Sequence, residues 1–152
     1  MSFFKGRENY SVDDKGRVAI PAKMRKSMSP EAADTFVVTR GPDEDPCIYV
    51  YPLDEWKKME AQLAGLNQYN GRDLFFVRTL LYWADELALD KQHRVMIPKA
   101  LLEFAKIDKN ALIIGAMDHI EIWNPEIFDS YLNKRDESYA DVAERVMGGR
   151  LL

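Results

Sequence analysis

One cysteine, Cys47, is all that this 152-residue chain carries, so no internal disulfide is available. That fits a reducing, cytoplasmic setting. Two histidines, His93 and His119, are too few beside it for a structural zinc site, and no metal or other cofactor is expected. No run of about 18 apolar residues occurs, which excludes a transmembrane helix and a membrane partner. The start, Met1-Ser2-Phe3-Phe4-Lys5-Gly6-Arg7, becomes charged at once and has no apolar signal region, so export is not expected. Catalytic groupings are missing too: no Ser-His constellation, no glycine-rich phosphate loop and no recurring carboxylate pair, and the chain is not read as an enzyme.

What is present is enough for a folded core. Apolar residues make up 47% and there are 17 aromatics. The length suits one ordinary domain, or two units of about 75 residues sharing a core. The net charge of −4 argues against bulk nucleic-acid binding, but it is uneven. Residues 1–26 hold Lys5, Arg7, Lys15, Arg17, Lys23, Arg25 and Lys26 against Glu8, Asp13 and Asp14, a balance of +4 that leaves −8 for the remainder. A basic patch on an acidic body can steer a polyanion to one face. It can equally be an ordinary solvated surface.

The main signal is a repeat. Val12-Asp13-Asp14-Lys15-Gly16-Arg17-Val18-Ala19-Ile20-Pro21 returns as Leu89-Asp90-Lys91-Gln92-His93-Arg94-Val95-Met96-Ile97-Pro98. Asp13/Asp90, Arg17/Arg94, Val18/Val95, Ile20/Ile97 and Pro21/Pro98 are each 77 positions apart, so the frame D-x-x-x-R-V-x-I-P repeats without a gap. The chain is two copies of one unit.

Period-two alternation around Tyr10 and Val12, and again around Val18 and Ile20, predicts strands over Glu8–Val12 and Arg17–Ile20. The turn residues Asp13-Asp14-Lys15-Gly16 between them predict a β-hairpin, with Gly16 free to take positive φ. Pro21 and Pro98 suit the first position of short helices near 22–28 and 99–106. Strands at 35–40 and 47–51 and a helix after Pro52 complete the first unit. Strands at 111–116 and 120–123 and a helix after Pro125 complete the second. Tyr51 matches Trp123 at a spacing of 72, so the first unit's loop is about five residues longer. The segment 73–84 is apolar over most of a helical surface, which predicts cover on several sides, between the units or against another subunit. The charged tail 137–152, with Gly148-Gly149, is expected to be loose. The boundaries expected are therefore 1–66, a linking helix 67–84, 85–136, and the tail, with both units forming one compact domain.

Two roles are open to the Asp/Arg pairs. Asp13 and Asp90, with Gly16, can structure the turns, accepting N–H bonds across them and pairing with arginine. Arg17 and Arg94, with Lys15 and His93, can meet phosphates or base edges. Lys5, Arg7 and Arg25 join that DNA-binding set on charge alone, which favours the first copy. The second lies among Asp85, Glu86 and Asp90. His93 and His119 read as surface residues, and Cys47 as a packed thiol.

These two turns, the stretch Pro46-Cys47-Ile48-Tyr49-Val50-Tyr51-Pro52-Leu53-Asp54-Glu55-Trp56, and its counterpart Ile120-Glu121-Ile122-Trp123 resemble the MraZ family of bacterial transcriptional regulators, over nearly the whole chain. The resemblance implies an α+β fold with a mainly β core: a pseudo-symmetric, swapped-hairpin β-barrel of AbrB type from two tandem ββαββα units, with flanking helices. It implies a ring-forming, nucleoid-associated regulator, mainly a repressor, binding double-stranded DNA at direct repeats in the promoter of the division and cell wall gene cluster. The family's DNA-binding motif falls on residues 13–17 and 90–94. The alternatives are a ring-forming protein scaffold without specific DNA binding, and an antitoxin-like AbrB-fold regulator.

Overall fold

A computed structural model describes residues 1–148 and 150. The ββαββα order appears twice. The first unit runs β1 (Arg7–Ser11), β2 (Arg17–Ala19), α1 (Ala22–Lys26), a 3-10 turn (Pro30–Ala32), β3 (Thr35–Arg40), β4 (Ile48–Pro52) and α2 (Leu53–Ala64). After α3 (Gly71–Tyr82), the second runs β5 (Asp85–Ala88), β6 (Arg94–Met96), α4 (Lys99–Phe104), β7 (Asn110–Ala116), β8 (His119–Trp123) and α5 (Pro125–Asn133), and α6 (Tyr139–Met147) follows. Pro21 and Pro98 occupy the N-cap positions of α1 and α4, one residue earlier than expected, with extended ψ of 139° and 137°.

The expected β1–β2 hairpin is corrected. The two strands are joined by a tight turn but form no ladder with each other. Instead β1 pairs antiparallel with β7 (Arg7 opposite Ile114) and β5 with β3 (Thr35 opposite Ala88), while β2 pairs with β6. The cause lies in burial. β3 and β7 are apolar strands that need partners on both edges, and each takes one from its own unit and one from the other. The sheet order is β1-β7-β8-β4-β3-β5, which reads the same from either end once the units are exchanged. At its centre β4 and β8 pair Ile48 with Ile122 and Val50 with Ile120. This is a mixed α+β fold with a mainly antiparallel sheet; β1 and β5 are its edges, and β2–β6 is a separate two-stranded ribbon.

One apolar core draws on both halves. Val18 and Val95 of the ribbon share it with Phe36, Val38, Ile48 and Val50 from the first unit and Ile113, Ile120 and Ile122 from the second; Met24 of α1 and Leu101 of α4 also join it. On the opposite sheet face α2 packs Trp56 against Val37 and Tyr51, and α5 packs Ile127 and Phe128 against Leu112 and Trp123.

Two segments differ from the simplest reading. α3 is not covered within the chain, which leaves cover by another subunit as the open alternative: none of its residues is buried, and Phe75 and Tyr82 are 70% and 83% exposed. It touches β3 through Leu80, whose carbonyl accepts from the Thr39 hydroxyl (2.9 Å). The tail is not simply loose. Ser138 caps α6 by accepting from the Asp141 N–H, Ala143 is buried, and Gly148 closes the helix in the left-handed region. The helix is capped at both ends within this charged segment. Residues 149, 151 and 152 of that tail lie outside the described residues.

Candidate nucleic-acid interface

The two D-x-x-x-R turns have the same geometry. Asp13 Oδ1 accepts from the Lys15 and Arg17 backbone N–H groups (3.0 and 2.8 Å), and Oδ2 accepts from Arg17 Nε–H (2.6 Å). Asp90 accepts in the same way from Gln92 N–H (2.8 Å), Arg94 N–H (2.9 Å) and Arg94 Nε–H (3.0 Å). The carboxylate thus closes the turn and fixes its arginine at once. Gly16 and His93 hold equivalent left-handed positions, φ +80° and +62°. Only the first demands glycine for space as well, because a Cβ there would stand 2.9 Å from the Ile97 carbonyl oxygen.

The exchange of strands brings the turns together. In the ribbon Arg17 faces Met96, Val18 faces Val95 and Ala19 faces Arg94. Ladder bonds continue past it: Ile97 N–H donates to the Gly16 carbonyl (2.9 Å) and Ile20 N–H to that of His93 (3.0 Å). Alternation turns Val18 and Val95 into the core and puts Arg17 and Arg94 on the outer face. Arg94 Nη1 also lies 3.6 Å from Asp13 Oδ2, so the second copy's arginine is ion-paired to the first copy's aspartate.

The charged neighbours do not fall where the chain order puts them. Arg25 donates from Nε to the Ile20 carbonyl (3.1 Å), and Ile20 bonds His93, so Arg25 sits one residue from the second turn and not beside the first. The first turn is flanked by the second unit's Lys99 and Lys109, which sequence order alone did not bring forward and which line a hollow with Lys15, alongside the carboxylates of Asp13, Asp14, Glu103 and Asp108. Lys5 and Arg7 are separated from the ribbon by the length of β1, about 13 Å at 3.3 Å per residue. They are held there because Phe4 exchanges backbone hydrogen bonds with Met117 (2.7 and 3.0 Å), over Gly115, where a Cβ would collide with the Lys5 backbone nitrogen.

Both clamping carboxyls are held below the ordinary aspartate range, chiefly by the backbone N–H of Arg17 on Asp13 and of Arg94 on Asp90. A depressed folded value stabilises the fold above the unfolded value of about 3.9, and that contribution is lost as pH falls through the folded value. Between about pH 5 and pH 2.5 the urea midpoint of the wild type should therefore fall further than that of the Asp13→Asn/Asp90→Asn variant. Equal falls would show that the clamps are not coupled to folding.

His119 is not a plain surface residue. Its ring contacts Tyr49 and stacks on Tyr51 at centroid distances of 4.6 and 5.0 Å, with Nδ1 2.8 Å from Asp118 Oδ1 and Nε2 2.9 Å from Glu121 Oε2. Glu121 also accepts from Trp123 Nε1–H (2.9 Å). Burial works against the imidazolium, but bonds to Glu121 and Asp118 outweigh it and raise the pKa. Stabilisation from a raised value is complete below the unfolded value of about 6.5 and is lost as pH rises through the folded one. Warming at about pH 6 and pH 8.5 should show a larger drop in Tm for the wild type than for His119→Asn; parallel drops would refute the coupling. The signal was His119 and Glu121 at i and i+2, on one face of a strand. Cys47, nearby, is buried, and burial with the charges of Glu121 and Asp45 pushes its thiol up, so it is a packed thiol.

Among the described residues no group of His, Cys, Asp and Glu side chains could hold a metal ion, and no helix is long and apolar enough to cross a membrane. Comparison with known proteins places this geometry in context. A family model described as "MraZ protein, putative antitoxin-like" matches residues 3–76 and again 80–149, once for each repeat. A protein named transcriptional regulator MraZ from Natranaerobius thermophilus is 39% identical over 144 residues, covering 95% of this chain and 96% of that one. Proteins of the same name from Thermoanaerobacter pseudethanolicus and Thermoanaerobacter sp. strain X514 are 41% and 40% identical over 141 residues, covering 93% of this chain and 94% of theirs. With a family match over both repeats and these relatives along nearly its whole length, the chain belongs to the MraZ family.

Proposed function

We propose that the β2–β6 ribbon docks on double-stranded DNA and that the protein is a sequence-specific transcriptional regulator, mainly a repressor, in the cytoplasm and on the nucleoid. Its sites are direct repeats in the promoter of the division and cell wall gene cluster. The observation that carries this reading is one outward ribbon face bearing two partly exposed arginines, each gripped by its own aspartate. The major groove admits a two-stranded ribbon, and a guanidinium fixed in advance meets guanine or phosphate without losing side-chain freedom on binding. Lys15, Arg25 and His93 flank that face, while Lys5 and Arg7 would reach only the outer phosphates. The name the relatives carry supports the regulatory part. A footprint of the purified protein on its own upstream region should show protected repeats; protection no better than on random duplex would sink the reading.

The exchanged pairing and the shared core support the swapped-hairpin barrel of AbrB type, with 1–66 and 85–136 as its two units, 67–84 as the link and 137–152 as the tail. Self-association into a ring is the second part of the proposal. α3 leaves Phe75, Phe76, Leu81 and Tyr82 in solvent, a face that another copy would cover. Several ribbons on one assembly then engage neighbouring repeats through effective concentration. Phe75→Ser/Tyr82→Ser should reduce the mass seen by light scattering to that of one chain; an unchanged mass would move the interface elsewhere. The same face favours the rival reading, a ring-forming scaffold without specific DNA binding, and the footprint separates the two.

A further inference from the structure

The frame of the ribbon is symmetric, but its outward face is not. Arg17 and Arg94 occupy equivalent places, and so do Ala19 and Met96, which are also 77 positions apart. The one-carbon side chain of the first strand is thus replaced by a long thioether in the second. Met96 stands across the ribbon from Arg17 and two residues along the strand from Arg94. It is 55% exposed, whereas Val95 beside it is 1% exposed. It belongs to none of the apolar clusters among the described residues. Met96 thus stands largely in solvent, beside two arginines that are each fixed by an aspartate.

We propose that Met96 is a specificity-determining residue, contacting the C5-methyl group of a thymine next to the base pair that Arg17 meets. This rests on the ribbon being the DNA-binding face and concerns which base pairs it prefers. In the major groove thymine is the base that presents an apolar methyl, and apolar side chains recognise it there. A thioether is flexible and polarisable, and settles on an irregular apolar surface at little cost. The asymmetry also gives the ribbon a direction. Two identical strands related by a pseudo-twofold axis would present the same pattern twice in opposite senses, as suits a palindrome. With Met96 on one strand and Ala19 on the other, the reading differs between the two ends.

The test uses the full-length protein and a duplex that the wild type itself enriches from a random pool. Each thymine is replaced in turn by deoxyuridine, which removes only the methyl, and affinity is read by fluorescence anisotropy. At one thymine the wild type should lose about fourfold, the worth of one buried methyl-sized group. Met96→Ala should lose a similar factor on the thymine duplex and nothing more on the deoxyuridine duplex, and Met96→Leu should keep the wild-type sensitivity. The proposal is overturned if Met96→Ala weakens thymine and deoxyuridine duplexes equally, if no thymine is sensitive, or if Met96→Ala changes only the mass of the assembly. The outcomes also separate the two layers. Failure of the wild type to enrich any sequence removes the DNA-binding reading itself, and this assignment with it. Enrichment of a site that Arg17→Ala no longer binds, but on which Met96→Ala keeps the wild-type deoxyuridine profile, removes the Met96 assignment alone.

Discussion

Arg17→Ala is expected to weaken binding to a specific duplex roughly five- to 150-fold, the range of one good bidentate base contact. Arg17 is already committed before DNA arrives: its backbone N–H and Nε–H both point to Asp13, leaving the outer edge of the guanidinium to form new bonds. Arg94→Ala should cost a comparable factor, because Asp90 holds it in the same way on the same face. The two losses should not add independently, since Arg94 Nη1 lies 3.6 Å from Asp13 Oδ2 and each change alters the other's surroundings. If Arg17 also meets a phosphate, the slope of log affinity against log salt should fall by about one. Anisotropy titrations at several salt concentrations give both quantities, and a urea midpoint near that of the wild type shows that the fold is kept. Unchanged affinity and slope for both variants would rule out the ribbon as the DNA-binding face.

Phe36→Ala should cost about 3–5 kcal/mol, the usual range for emptying a fully buried phenylalanine site. Phe36 has no exposed surface and lies in β3 between Pro52 of β4 and Leu87 of β5. The damage should therefore reach both halves. Urea unfolding followed by tryptophan fluorescence and by circular dichroism should remain one coincident transition moved to lower urea. Two separate transitions, with only the first moved, would refute a common core.

The order of elements was legible because each unit spells itself twice. The D-x-x-x-R-V-x-I-P frame placed both turns, and period-two patterns placed the strands around them. The partners of those strands were not legible. Alternation around Tyr10 and Val18 shows that each segment has one inward face, not which neighbour it bonds, and the short turn made β1 with β2 the natural guess. The apolar run Leu112-Ile113-Ile114 wanted two neighbours, and β1 supplies the second. Arg25 was misplaced for the same reason, since it follows the first motif in sequence and adjoins the second in space. In α6 the signals were present in Ser138, Ala143 and Gly148 but lay under a charged composition. α3 displays the opposite limit: an apolar surface announces that cover is needed without saying which molecule provides it.

The pairing of β1 with β7 has a consequence for how the chain is made. Arg7 lies opposite Ile114, 107 residues later, so β1 cannot find its partner until those residues have left the ribosome. At about 5–20 residues per second that wait lasts roughly 5–20 s, far longer than local helices take to form. β3 is likewise left without β5 until the linking helix has emerged. The nascent first half therefore carries unpaired apolar strand edges during synthesis, and folding is set by closing long loops late. Slow synthesis, or a pause before β5, should make this chain more prone to aggregate than a protein of equal stability whose strands pair with their immediate neighbours.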